Sequence, residues 1–214
     1  MRNVAKLVVV TLFVILLGTI AAEAQVSVSI GINLPVFPRL VVVPGYPVYY
    51  APSVRANYFF YDGLYWVYDA DNWYASSWYN GPWGLVEPYN VPLFILRIPV
   101  RYYRSPPVYF QGWRRDAPPR WDEHWGHEWQ QQRGEWNQWK RGATPPPAPP
   151  PVYQRRYPEA RYPPAEQQPQ LHERNYRYQP RDPDVRQHYP QPGRERGEIR
   201  GQERTQERGP GHNK

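Results

Sequence analysis

Tyr58-Phe59-Phe60-Tyr61-Asp62-Gly63-Leu64-Tyr65-Trp66-Val67-Tyr68-Asp69-Ala70-Asp71-Asn72-Trp73-Tyr74-Ala75-Ser76-Ser77-Trp78-Tyr79 decides the fold of this chain. Aromatic and β-branched runs of four to seven residues are strand material. Asp62-Gly63 falls between two of them and is a strong short hairpin signal. Asp69-Ala70-Asp71-Asn72 makes the next turn. The stretch therefore predicts a three-stranded antiparallel meander. Working outward, Leu40–Val43 and Val48–Tyr50 add short strands on the N-terminal side. Val26 to Leu34 alternates apolar and polar, the period-2 pattern of a strand with one buried face. On the C-terminal side, Val91–Tyr103 predicts one more strand region, kept to an edge or bent by Pro92 and Pro99.

Beyond Asp116 the period changes. Trp121, Trp125, Trp129, Trp136 and Trp139 fall within roughly an 80° arc at helical spacing. Asp116 and Pro118-Pro119 suit a helix start, and Gly142 suits its end. Gly126 and Gly134 each weaken the helix by about 1 kcal/mol, so it needs to dock. From residue 143 Pro, Arg, Gln and Glu dominate, and Pro145–Pro151 predicts a polyproline II spacer. Aliphatic residues nearly vanish, which predicts disorder over 143–214.

The expected class is mainly β, a small aromatic-rich antiparallel sheet with one C-terminal amphipathic Trp-faced helix and a disordered tail. The expected organisation is a signal peptide over 1–24, an aromatic β-region over 25–104, the helical segment packing on it over 105–142, and the tail over 143–214. The leader expectation rests on Arg2 and Lys6, the apolar run Leu7–Ile20 and the small-x-small site Ala22-Glu23-Ala24. It implies export, to the periplasm or outer surface of a bacterial cell. The chain has no Cys, which excludes disulfides, thiolate zinc sites and thiol nucleophiles. Net charge is +7, and the 143–214 segment carries 13 Arg and Lys against 9 Asp and Glu. This basicity permits weak contact with an anionic membrane. Nucleic acid is not an expected partner, since Arg–Tyr stacking on single strands does not fit an exported chain.

His124 and His127 are three apart, a spacing that can put two ligands on one metal, yet no third ligand is fixed. They are expected to be solvated. Asp62, Asp69 and Asp71 are the carboxylates near the meander, and paired carboxylates hydrolyse glycosides. All three sit where turns call for Asp. No nucleophile elbow, zinc-protease motif or phosphate loop occurs, so no enzyme activity and no cofactor are expected. The aromatics remain. Trp66, Trp73, Trp78 and Trp83 are the candidate platforms for a sugar ring or a protein partner. The five helical Trp are expected to form a structural face against the sheet.

Trp78-Tyr79-Asn80-Gly81-Pro82-Trp83 fits Trp-x-x-Gly-x-Trp. With the aromatic meander and Arg120-Trp121 followed by His124-Trp125-Gly126, it resembles the Trp-x-x-Gly-x-Trp and Tyr-x-Trp-Gly-x-Trp repeat proteins of proteobacteria. It looks closer still to uncharacterised exported Tyr-, Trp- and Pro-rich proteins of those bacteria. The resemblance covers Ala56 to Trp139 and implies an envelope location with no established activity. Only one copy of the motif is present. The expected role is structural or protein-interaction work in the envelope; the alternative is a glycan- or peptidoglycan-binding module.

Overall fold

The hairpin turns fix the sheet. Asp62 and Gly63 hold φ of 49° and 97°, and Ala70 and Asp71 hold 45° and 68°. Positive φ at both central residues makes a two-residue connection that matches strand twist. The computed structural model describes residues 27–138 and 144–190. Its strands are β1 (Ser27–Val28), β2 (Val41–Val42), β3 (Val48–Tyr50), β4 (Asn57–Tyr61), β5 (Leu64–Asp69), β6 (Asn72–Ser76) and β7 (Trp83–Val86). They form one antiparallel sheet in the order β1-β7-β6-β5-β4-β3-β2. The meander predicted over 58–79 is β4, β5 and β6, with Phe59 opposite Trp66 and Tyr68 opposite Trp73.

All of β4 is buried, and so is β5 except Asp69. A sheet wet on one side would alternate in burial; this one is covered on both. On the first face, Phe59, Tyr61, Leu64, Trp66, Tyr68 and Trp73 meet the chain from Val91 to Trp136. On the second face, Tyr58, Phe60, Tyr65, Val67, Tyr74, Trp78 and Tyr79 meet Ala148, Tyr153 and Tyr176, with Ile30, Ile32 and Leu34 at the margin.

The second covering layer corrects the sequence reading. Residues 144–190, expected to be disordered, lie against the sheet. Pro fixes backbone φ and so lowers the entropy lost on ordering. Tyr supplies the apolar area that aliphatics do not. The Tyr176 hydroxyl donates to the Pro149 carbonyl at 2.6 Å, and Tyr79, in the β6–β7 connection, donates to the Tyr157 carbonyl at 2.6 Å. The segment contains two helices, Gln168–Asn175 and Pro183–His188. The latter brings Val185 round to the first face. The 191–214 part of the predicted tail and the predicted leader over 1–24 lie outside the described residues.

The Trp-bearing segment also differs. Of the helix expected across 116–142, residues 139–142 lie outside the described residues; within the rest, a helix runs from Trp121 to Gln132 with Gly126 at φ 82°, ψ −175° inside it, a conformation that breaks the ladder. Glycine alone takes that backbone without strain. With the four-residue helix Leu93–Leu96, the helices are named α1 (Leu93–Leu96), α2 (Trp121–Gln132), α3 (Gln168–Asn175) and α4 (Pro183–His188). Trp136 lies beyond α2, in a turn whose carbonyls are held by buried Arg97: Nε donates to Trp136 O and an Nη to Gln138 O at 2.9 Å. Asp116 does not cap α2; it pairs with Arg101 at 2.6 Å. The predicted strand over 91–103 is α1 followed by a 3-10 turn at Val100–Tyr102. Pro92 and Pro99 precede these two turns, where proline's fixed φ favours a helical start over a ladder. Of the strand predicted over 26–34, the described residues pair at Ser27–Val28 and no further along, because Gly31 turns the chain with φ 67°.

Candidate functional site

The four aromatics singled out as ligand platforms are interior. Trp66, Trp73, Trp78 and Trp83 are 0–2% exposed. A stacking platform needs a free ring face, and in this fold none of the four presents one. Trp83 packs directly on Gly81: a Cβ there would lie 2.7 Å from the indole Cδ1. Gly81, at φ 83°, donates from N to the Trp78 carbonyl at 3.1 Å. The spacing of the Trp-x-x-Gly-x-Trp motif is thus the geometry of one tight turn with an indole folded over it. Of the structural Trp face, Trp121, Trp129 and Trp136 are buried and Trp125 is half-buried, stacked on Trp121 at 4.5 Å. Trp139 lies outside the described residues.

His124 and His127 diverge. His127 Nε2 is 2.9 Å from Gln131 Nε2 at the surface. His124 instead joins a constellation the sequence did not reveal. Asp71, at the β5–β6 turn, accepts on Oδ1 from Tyr68 Oη at 2.6 Å and Tyr109 Oη at 2.9 Å, with His124 Nε2 at 2.7 Å. The two tyrosine hydroxyls also touch. The His124 ring stacks on Tyr109 at 4.2 Å and 7°. Burial raises the Asp71 carboxyl, but the hydrogen bonds from Tyr68 and Tyr109 and the charge of His124 outweigh it and hold the group below the usual carboxylate range. Three donors on one oxygen make a clamp tying the turn, the 105–113 loop and α2 together. The second oxygen makes no hydrogen bond among the described residues, and the side chain is 57% exposed.

Asp62 is a second anchor. Its Oδ1 accepts from Tyr178 Oη at 2.5 Å, and its Oδ2 accepts from the amides of Arg181 and Asp182 at 2.8 and 2.7 Å. Burial raises its carboxyl, and these hydrogen bonds only partly counter that. Asp69 is exposed at the end of β5. The three turn carboxylates are therefore two structural clamps and one solvated residue.

Under the C-terminal segment runs a directed chain of polar groups. Tyr65 Oη donates to Gln154 Oε1 at 3.0 Å, and Gln154 Nε2 donates to Ser77 O at 2.8 Å and to Tyr153 Oη at 3.2 Å. Tyr153 Oη is 2.9 Å from His172 Nδ1; His172 Nε2 is 2.9 Å from Tyr189 Oη, which donates to Tyr178 O at 3.1 Å. Since the Tyr189 proton goes to Tyr178, Nε2 of His172 must donate and Nδ1 must accept. The neutral tautomer is thereby fixed. Burial pushes the His172 pKa down to about 4. Tyr109 lay in the 105–142 segment read as helical, and Gln154 and His172 in the 143–214 segment read as disordered, and no spacing pattern marks them. Beside this chain, a shallow groove of about 280 Å³ runs between Pro149–Tyr153 and Asn175–Tyr178.

Comparison with protein-family models, with curated proteins and with solved structures finds no match to this chain. No helix among the described residues is long and apolar enough to cross a membrane.

Proposed function

We propose that this protein is an exported, non-enzymatic component of a bacterial cell envelope, with a structural or protein-interaction role. The observation that carries the reading is the use made of its aromatics. Trp66, Trp73, Trp78 and Trp83 are packed inside, and a Pro- and Tyr-rich segment of the same chain is laid over the second sheet face. Its polar constellations at Asp62, Asp71 and His172 join segments to one another. The leader-like start and the Trp-x-x-Gly-x-Trp resemblance favour the envelope. Cross-linking in cells followed by fractionation tests this. The protein belongs in the envelope fraction, joined to a discrete partner. Recovery only as a free monomer in the cytosol contradicts it.

The glycan reading no longer has its aromatic platforms. What favours it is the open oxygen of Asp71 beside the Tyr109–His124 stack, since a carboxylate beside a ring is a sugar-binding arrangement. Pull-down on peptidoglycan, with Asp71→Asn alongside, separates the two. Retention by the parent and loss by the variant assigns the protein to glycan.

A further inference from the structure

We propose that the 104–115 loop docks this protein on an anionic lipid bilayer. The inference goes beyond an envelope role and does not rest on it. From 100 to 121 the chain holds Arg101, Arg104, Arg114, Arg115 and Arg120 against one acid, Asp116. All five guanidinium-bearing residues are exposed. Arg101 is engaged by Asp116 at 2.6 Å and Arg120 by Glu123 at 3.3 Å. Arg104, Arg114 and Arg115 form no ion pair among the described residues. Asp71, the carboxylate bonded by Tyr109 of this loop, is also bonded by Tyr68 and His124 and forms no ion pair with these arginines.

The loop is held rather than loose. Its base is closed by Val100 N to Ala117 O and Arg101 N to Arg115 O, both 3.0 Å. Asn57 of β4 pins its start, donating to Ser105 O at 2.7 Å and accepting from Ser105 N at 2.9 Å. Phe110 is buried in the first core, and half-exposed Trp113 stacks on it at 4.7 Å. Midway along the loop, Val108 is 78% exposed, more than any other large apolar residue described. A single exposed apolar side chain needs no explanation. Here it belongs to a pinned loop that also carries exposed Arg104, Arg114 and Arg115, without ion pairs among the described residues, and half-buried Trp113. An interfacial anchor is built this way: an apolar side chain enters the headgroup boundary, the indole sits at that level, and cations meet lipid phosphates. A soluble polyanion would satisfy the arginines and leave Val108 without a partner. A bilayer of anionic lipid uses both.

The test is co-sedimentation of the chain from Gln25 onward, which keeps every described residue and lacks the apolar run at 7–20. The vesicles are phosphatidylcholine with phosphatidylglycerol, and phosphatidylcholine alone. Binding is expected on the mixed vesicles, falling with added salt, and little on the neutral ones. Arg114→Glu with Arg115→Glu should weaken it at least roughly 30-fold, taking each basic contact as worth about a fivefold factor. Val108→Asp should weaken it roughly fivefold to tenfold. Arg156→Glu with Arg174→Glu makes the same net charge change on the other layer, and binding should stay unchanged. An unaltered thermal midpoint in each variant shows that the fold is intact. The proposal is overturned if the parent does not bind mixed vesicles, if the two double variants behave alike, or if Val108→Asp binds as the parent does. In the last case, the site takes any polyanion.

Discussion

Gly81 sits beneath the indole of Trp83, and no other residue fits there. A methyl group would meet Trp83 Cδ1 at 2.7 Å, on a backbone with φ 83°. Gly81→Ala should cost at least about 2 kcal/mol, strain and clash together, read as a fall in urea midpoint with unchanged slope. Asp62 offers a second check. Asp62→Ala orphans the Tyr178 hydroxyl and two amides, and should cost about 2–3 kcal/mol. Asp62→Asn keeps two acceptor sites on its amide oxygen and tolerates φ 49°, so it should cost less. Chemical denaturation of both variants orders them. His172 gives a pH dependence. Its folded pKa of about 4 lies below the ordinary 6.5, so the unfolded chain binds the extra proton. The stabilisation is full above pH 6.5 and is lost as pH falls towards 4, the loss by that pH amounting to roughly 3 kcal/mol. Asp62 and Asp182, both raised by burial, act with the opposite sign closer to 4. Comparing the parent with His172→Gln isolates the histidine, whose variant should show a flatter stability profile between these pH values. Parallel profiles would contradict the assignment.

At the scale of elements, the Trp segment separates buried from peripheral side chains. Trp129 is 1% exposed and donates to the Pro88 carbonyl at 3.1 Å, so Trp129→Ala should cost about 3–5 kcal/mol. Trp125 is half-buried and should cost clearly less; thermal unfolding of the two single variants is the measurement. The meander was legible because Asp62-Gly63 and Asp69–Asn72 are local signals, and turn chemistry acts within four residues. The α2 kink was not. Gly126 reads from sequence as a modest propensity penalty, whereas it takes up a positive φ that ends the regular ladder. The strand expected over 91–103 failed for a related reason: its apolar run suits either element, and Pro92 and Pro99 start helical turns here. Trp78 and Trp83 look like surface platforms only while the second sheet face is taken to be free, whereas Trp66 and Trp73 lie on the first face, under the chain from Val91 to Trp136.

At the scale of the molecule, that second face turns on the Pro-rich segment. Its composition lacks the aliphatics from which a core is ordinarily inferred. Tyr153, Tyr176 and Ala148 nevertheless pack on Tyr58, Phe60, Tyr65 and Trp78, and Gln154, wholly buried, is bonded into the sheet. Arg133 of the first layer pairs with Asp184 of α4 at 3.2 Å, so the segment joins both layers. Without it, the aromatic face would be open to water, which soluble monomers rarely tolerate. The direct measurement is thermal unfolding of residues 25–214 against a chain ending at Ala143. The structure requires the truncated chain to unfold many degrees lower, or to aggregate, and to bind a hydrophobic dye. A truncated chain with the midpoint of the parent would show that residues 144–190 do not hold the sheet.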